Sequence, residues 1–99
     1  MAIELRFEWD PAKSTGNLRR HGVSFEDAST VFVDENAILI NDPDHSLEED
    51  RFILLGLSGS LRILVVCHCY RAEGQLIRII SARKADGQER KVYFWRFKA

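Results

Sequence analysis

The chain has 99 residues, of which 45% are hydrophobic and 29% are charged, enough for one domain with a modest core and too few for two. No apolar run approaches the roughly 20 residues needed to cross a bilayer, and the N-terminus lacks the basic and then apolar pattern of a signal peptide. We therefore expect residues 1–99 to form a single cytoplasmic domain with no membrane contact.

The net charge of −1 hides a division between the two halves of the chain. Residues 1–50 hold 4 Lys or Arg and 12 Asp or Glu, a net charge of −8. Residues 51–99 hold 10 Lys or Arg and 3 Asp or Glu, a net charge of +7. This asymmetry favours a basic surface that faces an anionic partner. The alternative is that the two halves fold against each other and their fields largely cancel.

The first part of the chain predicts a strand followed by a helix. Residues 3–7 alternate between apolar and polar side chains, which is typical of a short strand. Asp10 followed by Pro11 indicates a helix start, and Gly22 indicates that this helix ends near His21.

This first helix carries a polar stripe and only a thin apolar face. Lys13, Asn17 and either Arg20 or His21 recur at helical spacing. We interpret the stripe as a solvated face of the helix.

A second helix is predicted directly after the first, with Ser24 as its N-cap. Phe25, Ala28, Val31 and Phe32 follow at the spacing of a stripe that faces a core. Because only two residues separate the helices, we expect them to form a tight pair.

The middle of the chain predicts three strands. Residues 37–40 form the first, and residues 41–46 (Asn-Asp-Pro-Asp-His-Ser) are typical of a surface turn. Residues 51–57 and 61–70 are joined by Ser-Gly-Ser at 58–60 and should pair as a hairpin.

The strand at 61–70 has two different faces, because side chains alternate along a strand. We predict that the helix pair packs on the apolar face, made of Leu61, Ile63, Val65, Cys67 and Cys69. The opposite face, which would be the functional one, consists of Arg62, Leu64, Val66, His68 and Tyr70.

The Cys-His-Cys run at 67–69 does not predict a metal site. Cys67 and Cys69 point to the same face, where a disulfide between them would be strained, so we expect two reduced thiols in the core. His68 points to the other face, so the three side chains cannot converge on one ion.

The last quarter of the chain concentrates the candidate chemistry. Residues 76–83 are rich in β-branched side chains and predict a strand, and Asp86 with Glu89 three residues later resembles a capping box that starts a helix. The strand then carries Arg83 to its end, and the helix returns Glu89 and Tyr93. The resulting order is β-α-α-β-β-β-β-α, an α+β domain with a mainly antiparallel sheet, two N-terminal helices on one face and a C-terminal helix.

Four segments resemble, in this order along the chain, the BrnT toxins of type II toxin–antitoxin modules: FEWDPAK at 7–13, NLRRHGVSFEDA at 17–28, NDPDHS at 41–46 and RIISARKA at 78–85. The resemblance implies a RelE-like fold and a ribonuclease that stops translation. It also implies neutralisation by a BrnA antitoxin with a ribbon-helix-helix DNA-binding domain, so that the toxin meets operator DNA only through its partner. Dimerisation of that domain would give a heterotetramer of two toxins and two antitoxins.

Metal-free RNA cleavage needs a base for the 2′-hydroxyl, an acid for the leaving oxygen and cations for the charge that develops on phosphorus. The catalytic candidates are Arg83, Glu89, His68, Arg51 and Tyr93. The further RNA-binding candidates are Lys13, Arg62, Arg78, Lys84 and Arg90. This chemistry requires no metal and no other cofactor.

Structural alternatives accompany these candidates. His68 has apolar neighbours and could be a core histidine, and Arg83 with Glu89 could be a surface ion pair. The whole chain could also be a non-catalytic module that holds nucleic acid or an acidic protein on the same basic face. Only the enzyme requires a proton carrier beside the arginines.

Four aromatic residues crowd the end of the chain: Tyr93, Phe94, Trp95 and Phe97. One helix cannot bury all of them against one core, so some are expected to face outward. Exposed aromatics beside arginines are typical of interface anchors, and we expect the antitoxin to bind over this basic half.

Overall fold

Three α-helices and five β-strands make up the part of the chain that the computed structural model describes, residues 4–41 and 50–96. In chain order they are β1 (Arg6–Glu8), α1 (Pro11–His21), α2 (Phe25–Thr30), β2 (Ile38–Asn41), β3 (Arg51–Leu57), β4 (Ile63–Arg71), β5 (Leu76–Lys84) and α3 (Gly87–Trp95). One 3-10 turn, Val31–Val33, continues α2, and another, Ala72–Gly74, links β4 to β5.

The five strands form one mixed sheet in the order β1-β5-β4-β3-β2. β1 pairs with β5 in parallel, and the other three pairings are antiparallel. The α+β class, the mainly antiparallel sheet and the β3–β4 hairpin are therefore as the sequence predicts. No helix within the described residues is long and apolar enough to span a membrane.

The helix starts are set by the capping residues that the sequence predicts. Asp10 accepts a hydrogen bond from the Ala12 N–H at 2.8 Å, and Ser24 accepts one from the Asp27 N–H at 3.0 Å. Gly22 ends α1 with φ at 68°, a left-handed conformation that costs glycine little. Each cap satisfies a backbone group that the helix itself leaves without a partner.

Strand boundaries differ from the predicted ones by up to three residues. β1 begins at Arg6, β2 covers Ile38–Asn41, and β4 begins at Ile63 after a turn in which Leu61 has a positive φ of 65°. The predicted turn at 41–46 lies outside the described residues, apart from Asn41 at the end of β2.

The helix pair packs on the face of the sheet opposite to the one predicted. Phe25, Ala28 and Val31 of α2 are fully buried against Leu64 and Val66 of β4. We call this side of the sheet the helix face. The prediction was wrong because both faces of β4 are apolar in the middle, so alternation alone does not indicate which face the helices cover.

The other side of the sheet, which we call the cleft face, is only partly covered. The C-terminal helix α3 packs across one end of it, where Tyr93 joins Leu55, Ile63, Val65 and Ala85 in a second small core. The rest of this face has no helix on it among the described elements.

Asn17 was predicted to lie on a solvated stripe, and this prediction was wrong. Its side chain is 2% exposed. The amide nitrogen donates to the carbonyl oxygens of Val23 and Ala82 at 2.9 and 2.8 Å, and the amide oxygen accepts from the Ala82 N–H at 3.0 Å. Among the described strands, β1 pairs with β5 at residues 76–78 and none of them pairs with β5 beside Ala82 on that edge, where Asn17 takes the place of a neighbouring strand.

We expect Asn17→Ala to lower the free energy of unfolding by about 3 kcal/mol, because it leaves buried backbone groups of Ala82 and Val23 without their partner. Urea unfolding should show a lower midpoint with an unchanged m-value. Lys13→Ala, one turn earlier on an exposed position, is the matched control and should change stability by less than about 0.5 kcal/mol. Equal effects of the two substitutions would contradict a structural role for Asn17.

Candidate active site

A cleft of about 240 Å³ opens on the cleft face, between the uncovered parts of β3, β4 and β5. Its floor is set by strand register, because Ile53, Cys67 and Ser81 lie side by side on the three strands. The lining residues are His21, Arg51, Ile53, Val65, Cys67, Ile80, Ser81, Ala82 and Arg83.

A β-bulge in β5 shapes this floor. Cys67 pairs with Ser81 and His68 with Ile79, so Ile80 has no partner on β4. Beyond the bulge, strand alternation is shifted by one residue. Ile79 and Ala82, three positions apart, consequently both reach the core of the helix face, and Ile80 and Ser81 both line the cleft.

Arg83 is held at the rim of the cleft by Glu89. Its Nη1 and Nη2 atoms donate to the two carboxylate oxygens at 2.7 and 2.8 Å, a bidentate pair. The same carboxylate accepts the Asp86 N–H at 2.9 Å, and Asp86 accepts the Glu89 N–H at 2.8 Å, which completes the predicted capping box. The hydrogen bonds from Arg83 lower the pKa of Glu89 below its usual value, so Glu89 stays ionised at neutral pH.

His21, the last residue of α1, reaches the cleft around the open edge of β5. It follows Asn17 by four residues and therefore lies on the same side of α1, one turn closer to the helix end. Because Asn17 is bonded to Ala82, His21 is brought to Ala82 and Arg83. From the sequence, His21 was assigned only to the polar stripe, and its position at the cleft was not predicted.

The cleft face carries a row of arginines that extends away from the cleft. Strand alternation places Arg51, Arg71, Arg78 and Arg83 on this face, and we call them the arginine row. Glu8 joins two of them, at 3.1 Å from Arg71 and 3.3 Å from Arg78. The bulge is what allows Arg78 and Arg83, five positions apart, to share a face.

His68 lies on the helix face and is fully buried. Its ring packs edge-on against Phe32 at 4.7 Å between centroids. Its Nδ1 is 3.2 Å from the Val66 carbonyl oxygen, and its Nε2 is 3.2 Å from the Tyr70 hydroxyl. Burial lowers the pKa of His68, so the ring is neutral at pH 7. The structure does not bring His68 to the cleft, and its contacts match the core-histidine alternative.

Tyr93 also lies away from the cleft, in the small core under α3, and is 2% exposed. Its hydroxyl donates to Asp34 Oδ2 at 2.6 Å, and the same oxygen accepts the Leu57 N–H at 2.8 Å. Burial and the hydrogen bond to Asp34 raise the pKa of Tyr93 to about 12. A phenol in this position holds α3 against the sheet and is a poor proton donor at neutral pH.

The predicted RNA-binding residues are dispersed. Arg62 is bonded to Asp27 at 2.9 Å and to the Gly22 carbonyl oxygen at 3.0 Å, so it ties the hairpin turn to the helix pair. Lys13 is exposed on α1. Lys84 and Arg90 line a separate groove beside α3, and only Arg78 belongs to the arginine row.

Both cysteines are reduced, as predicted. Cys69 is buried, whereas Cys67 is half-buried and lines the cleft. No group of three or more His, Cys, Asp or Glu side chains that could hold a metal ion occurs in residues 4–41 and 50–96.

Comparison with known proteins relates this architecture to one family. A family model described as the ribonuclease toxin BrnT of type II toxin–antitoxin systems matches residues 9–89. The chain belongs to this family. The crystal structure of the Brucella abortus ribonuclease toxin BrnT is similar in fold, with a TM-score of 0.65 and 22% sequence identity over 84% of this chain and 99% of that one. No curated protein matches the chain.

For this BrnT-family chain, the structure brings together Arg51, Arg83 and Glu89 from the predicted catalytic set and leaves His68 and Tyr93 elsewhere. It adds His21 to the cleft and Arg71 to the arginine row. His21 could have been found as the residue one turn after Asn17, had the burial of Asn17 been known. Arg71 carried no signal beyond its charge.

The ionisation of Tyr93 should make stability fall at alkaline pH. Its pKa is 10.0 unperturbed and about 12 in the folded protein. Because folding raises this pKa, the stabilisation is complete below pH 10 and is lost as the pH rises toward 12. We expect urea unfolding to show a steeper loss of stability in this range for the parent than for Tyr93→Phe. Parallel curves for the two proteins would contradict the bond to Asp34.

Proposed function

We propose that the chain is a metal-independent endoribonuclease, a single BrnT/RelE-like toxin domain over residues 1–99 that inhibits translation by cleaving RNA. The observation that carries the proposal is the cleft, where His21, Arg51 and Arg83 line one solvent-accessible site. An imidazole beside two guanidinium groups supplies the proton carrier that distinguishes an enzyme from a binding module.

The roles follow from the chemistry of each group. His21 accepts the proton of the 2′-hydroxyl, whose oxygen attacks phosphorus while the bond to the 5′-oxygen breaks. Arg51 and Arg83 donate hydrogen bonds to the phosphate oxygens, where negative charge grows in the transition state. The leaving 5′-oxygen takes its proton from water, since the cleft is open to solvent. The products are a 2′,3′-cyclic phosphate and a free 5′-hydroxyl.

Glu89 acts as a positioning residue in this scheme. Both of its carboxylate oxygens accept hydrogen bonds from Arg83. These two bonds fix the plane of the guanidinium before RNA binds. Since the fork of an arginine can meet a phosphate through two parallel hydrogen bonds, fixing its direction favours one orientation of the phosphate. The arginine row, with Arg71 and Arg78, continues the positive surface along which the RNA backbone lies.

The BrnT family indicates the kind of protein partner. A toxin of a type II toxin–antitoxin system has an antitoxin. We propose a BrnA-type antitoxin with a ribbon-helix-helix domain, a heterotetramer of two toxins and two antitoxins, and operator DNA contact through the antitoxin alone.

Single substitutions in the cleft should separate catalysis from binding. His21→Ala should lower the rate of RNA cleavage by about 10²-fold or more while RNA binding stays within a few-fold of the parent. Arg51→Ala and Arg83→Ala should lower cleavage by about 10²–10³-fold, and Arg83→Ala should abolish growth arrest. The fold should persist in Arg83→Ala, since exposed ion pairs contribute about 0–1 kcal/mol.

Arg19→Ala is the matched control, an exposed arginine on α1 two residues before His21 that does not line the cleft. Circular dichroism checks the fold of each variant. Full cleavage by folded His21→Ala would remove it as the base. RNA binding without cleavage by the parent would favour the non-catalytic binding module.

Chelators should leave cleavage unchanged, because the proposed base and cations are all side chains of the cleft. The measurement is the rate of cleavage of a labelled RNA with and without EDTA, after dialysis of the protein against chelator. Loss of cleavage that one divalent ion restores would contradict the acid–base mechanism.

A further inference from the structure

The outward side of α3 exposes large apolar side chains to solvent. Tyr93 is the one described residue of α3 that is buried, while Val92, Phe94 and Trp95 are 47%, 50% and 73% exposed. Leu61, in the turn before β4, is 80% exposed and lines a groove together with Phe94. We call these four residues and the adjacent Lys84, Arg90 and Lys91 the α3 surface.

The α3 surface is grooved. One groove, of about 550 Å³, is lined by Gly87, Arg90, Lys91, Phe94 and Trp95. A second, of about 340 Å³, lies on the other flank of Trp95 and is lined by Gln88, Lys91, Val92 and Trp95. A third, of about 410 Å³, runs between α3 and the hairpin turn and is lined by Leu61, Arg62, Ile63, Lys84, Ala85, Arg90 and Phe94. Grooves on both sides of an exposed indole are suited to receive side chains of a partner.

The charge around these grooves has one sign. Their described lining residues include Arg62, Lys84, Arg90 and Lys91 and no Asp or Glu. Of the four cations, Arg62 is paired with Asp27. A partner that carries carboxylates would complement the α3 surface, and a basic partner would be repelled.

The aliphatic side chains favour a protein over RNA as that partner. Single-stranded RNA gains affinity by stacking its bases on aromatic rings, and Trp95 and Phe94 could serve in that way. Leu61 and Val92 offer no ring to stack on, yet they are among the exposed residues here. Covering them with the apolar side chains of a protein removes apolar area from water and is favourable.

We propose that the α3 surface is the docking site for an acidic segment of the antitoxin that combines apolar side chains with Asp or Glu. This inference rests on the proposed function, because the family membership supplies the partner. Trp95 is the central anchor, with an apolar side chain of the antitoxin in the groove on either flank. Carboxylates of the segment pair with Lys91 and Arg90 at the edges of the grooves.

The test compares two α3 variants with matched controls in the 99-residue chain. Trp95→Ala and Lys91→Glu should each weaken binding of the purified cognate antitoxin, Trp95→Ala by about 30-fold or more. Val33→Ala removes an apolar side chain of the same 73% exposure, and Arg19→Glu reverses a charge on an exposed position of α1. Both controls should leave the Kd unchanged. Isothermal titration calorimetry gives the Kd, and cleavage of a labelled RNA by the free toxin is measured in parallel.

The outcomes distinguish this inference from the proposed function. Weaker antitoxin binding with unchanged cleavage by the free toxin supports the docking site. An unchanged Kd for Trp95→Ala overturns it. Reduced RNA binding with an unchanged Kd for the antitoxin would assign the surface to RNA. Loss of a toxin dimer in light scattering would assign it to a second copy of the chain. If the parent toxin does not cleave RNA, the proposed function fails while the Kd comparison still decides the docking site.

Discussion

The side-chain amide of Asn17 is the contact on which the arrangement of the cleft depends. It bonds both backbone groups of Ala82 on the open edge of β5 and the carbonyl of Val23 after α1. One buried side chain thereby fixes the helix, the turn that follows it and the strand that carries Arg83. Since α1 buries no other residue, apolar packing alone would leave the position of this helix poorly determined. The place of His21 at the cleft is a consequence of that amide.

The acidic and basic halves of the chain meet in specific pairs. Asp27 holds Arg62 at 2.9 Å, Asp34 holds the Tyr93 hydroxyl at 2.6 Å, and Glu8 holds Arg71 and Arg78. The alternative of mutual cancellation is therefore correct for part of the charge. Within the described ranges, 4–41 and 50–96, cations outnumber carboxylates along the arginine row and beside α3. The two surfaces differ in kind, since the first combines arginines with a histidine and the second combines cations with apolar side chains.

Local signals were sufficient to predict the helices, because Asp10, Ser24 and Asp86 act on backbone groups only two or three residues away. The choice of sheet face could not be predicted in the same way. Ile63 and Val65 alternate with Leu64 and Val66, so both faces of β4 are equally apolar, and only the tertiary contacts decide which one the helices cover. The bulge at Ile80 and the burial of Asn17 also depend on residues far away in the chain. The composition of the cleft follows from those two features, which is why the sequence did not indicate that His21 lines the cleft and that His68 lies away from it.

Glu89 connects the cleft to α3 mechanically. Its Oε1 atom accepts from Arg83 at 2.7 Å and from the Asp86 N–H at 2.9 Å, so the same oxygen closes the capping box and positions the guanidinium. At the other end of α3, Tyr93 and Arg96 attach the helix to Asp34 and to the Ala37 carbonyl. A shift of α3 cannot preserve all of these bonds, because their partners lie on three different segments. Any partner that moves α3 by about the length of a hydrogen bond would therefore redirect Arg83. The proposed docking surface and the proposed active site are thus coupled through a single short helix, and an antitoxin on α3 could inhibit the enzyme without covering the cleft.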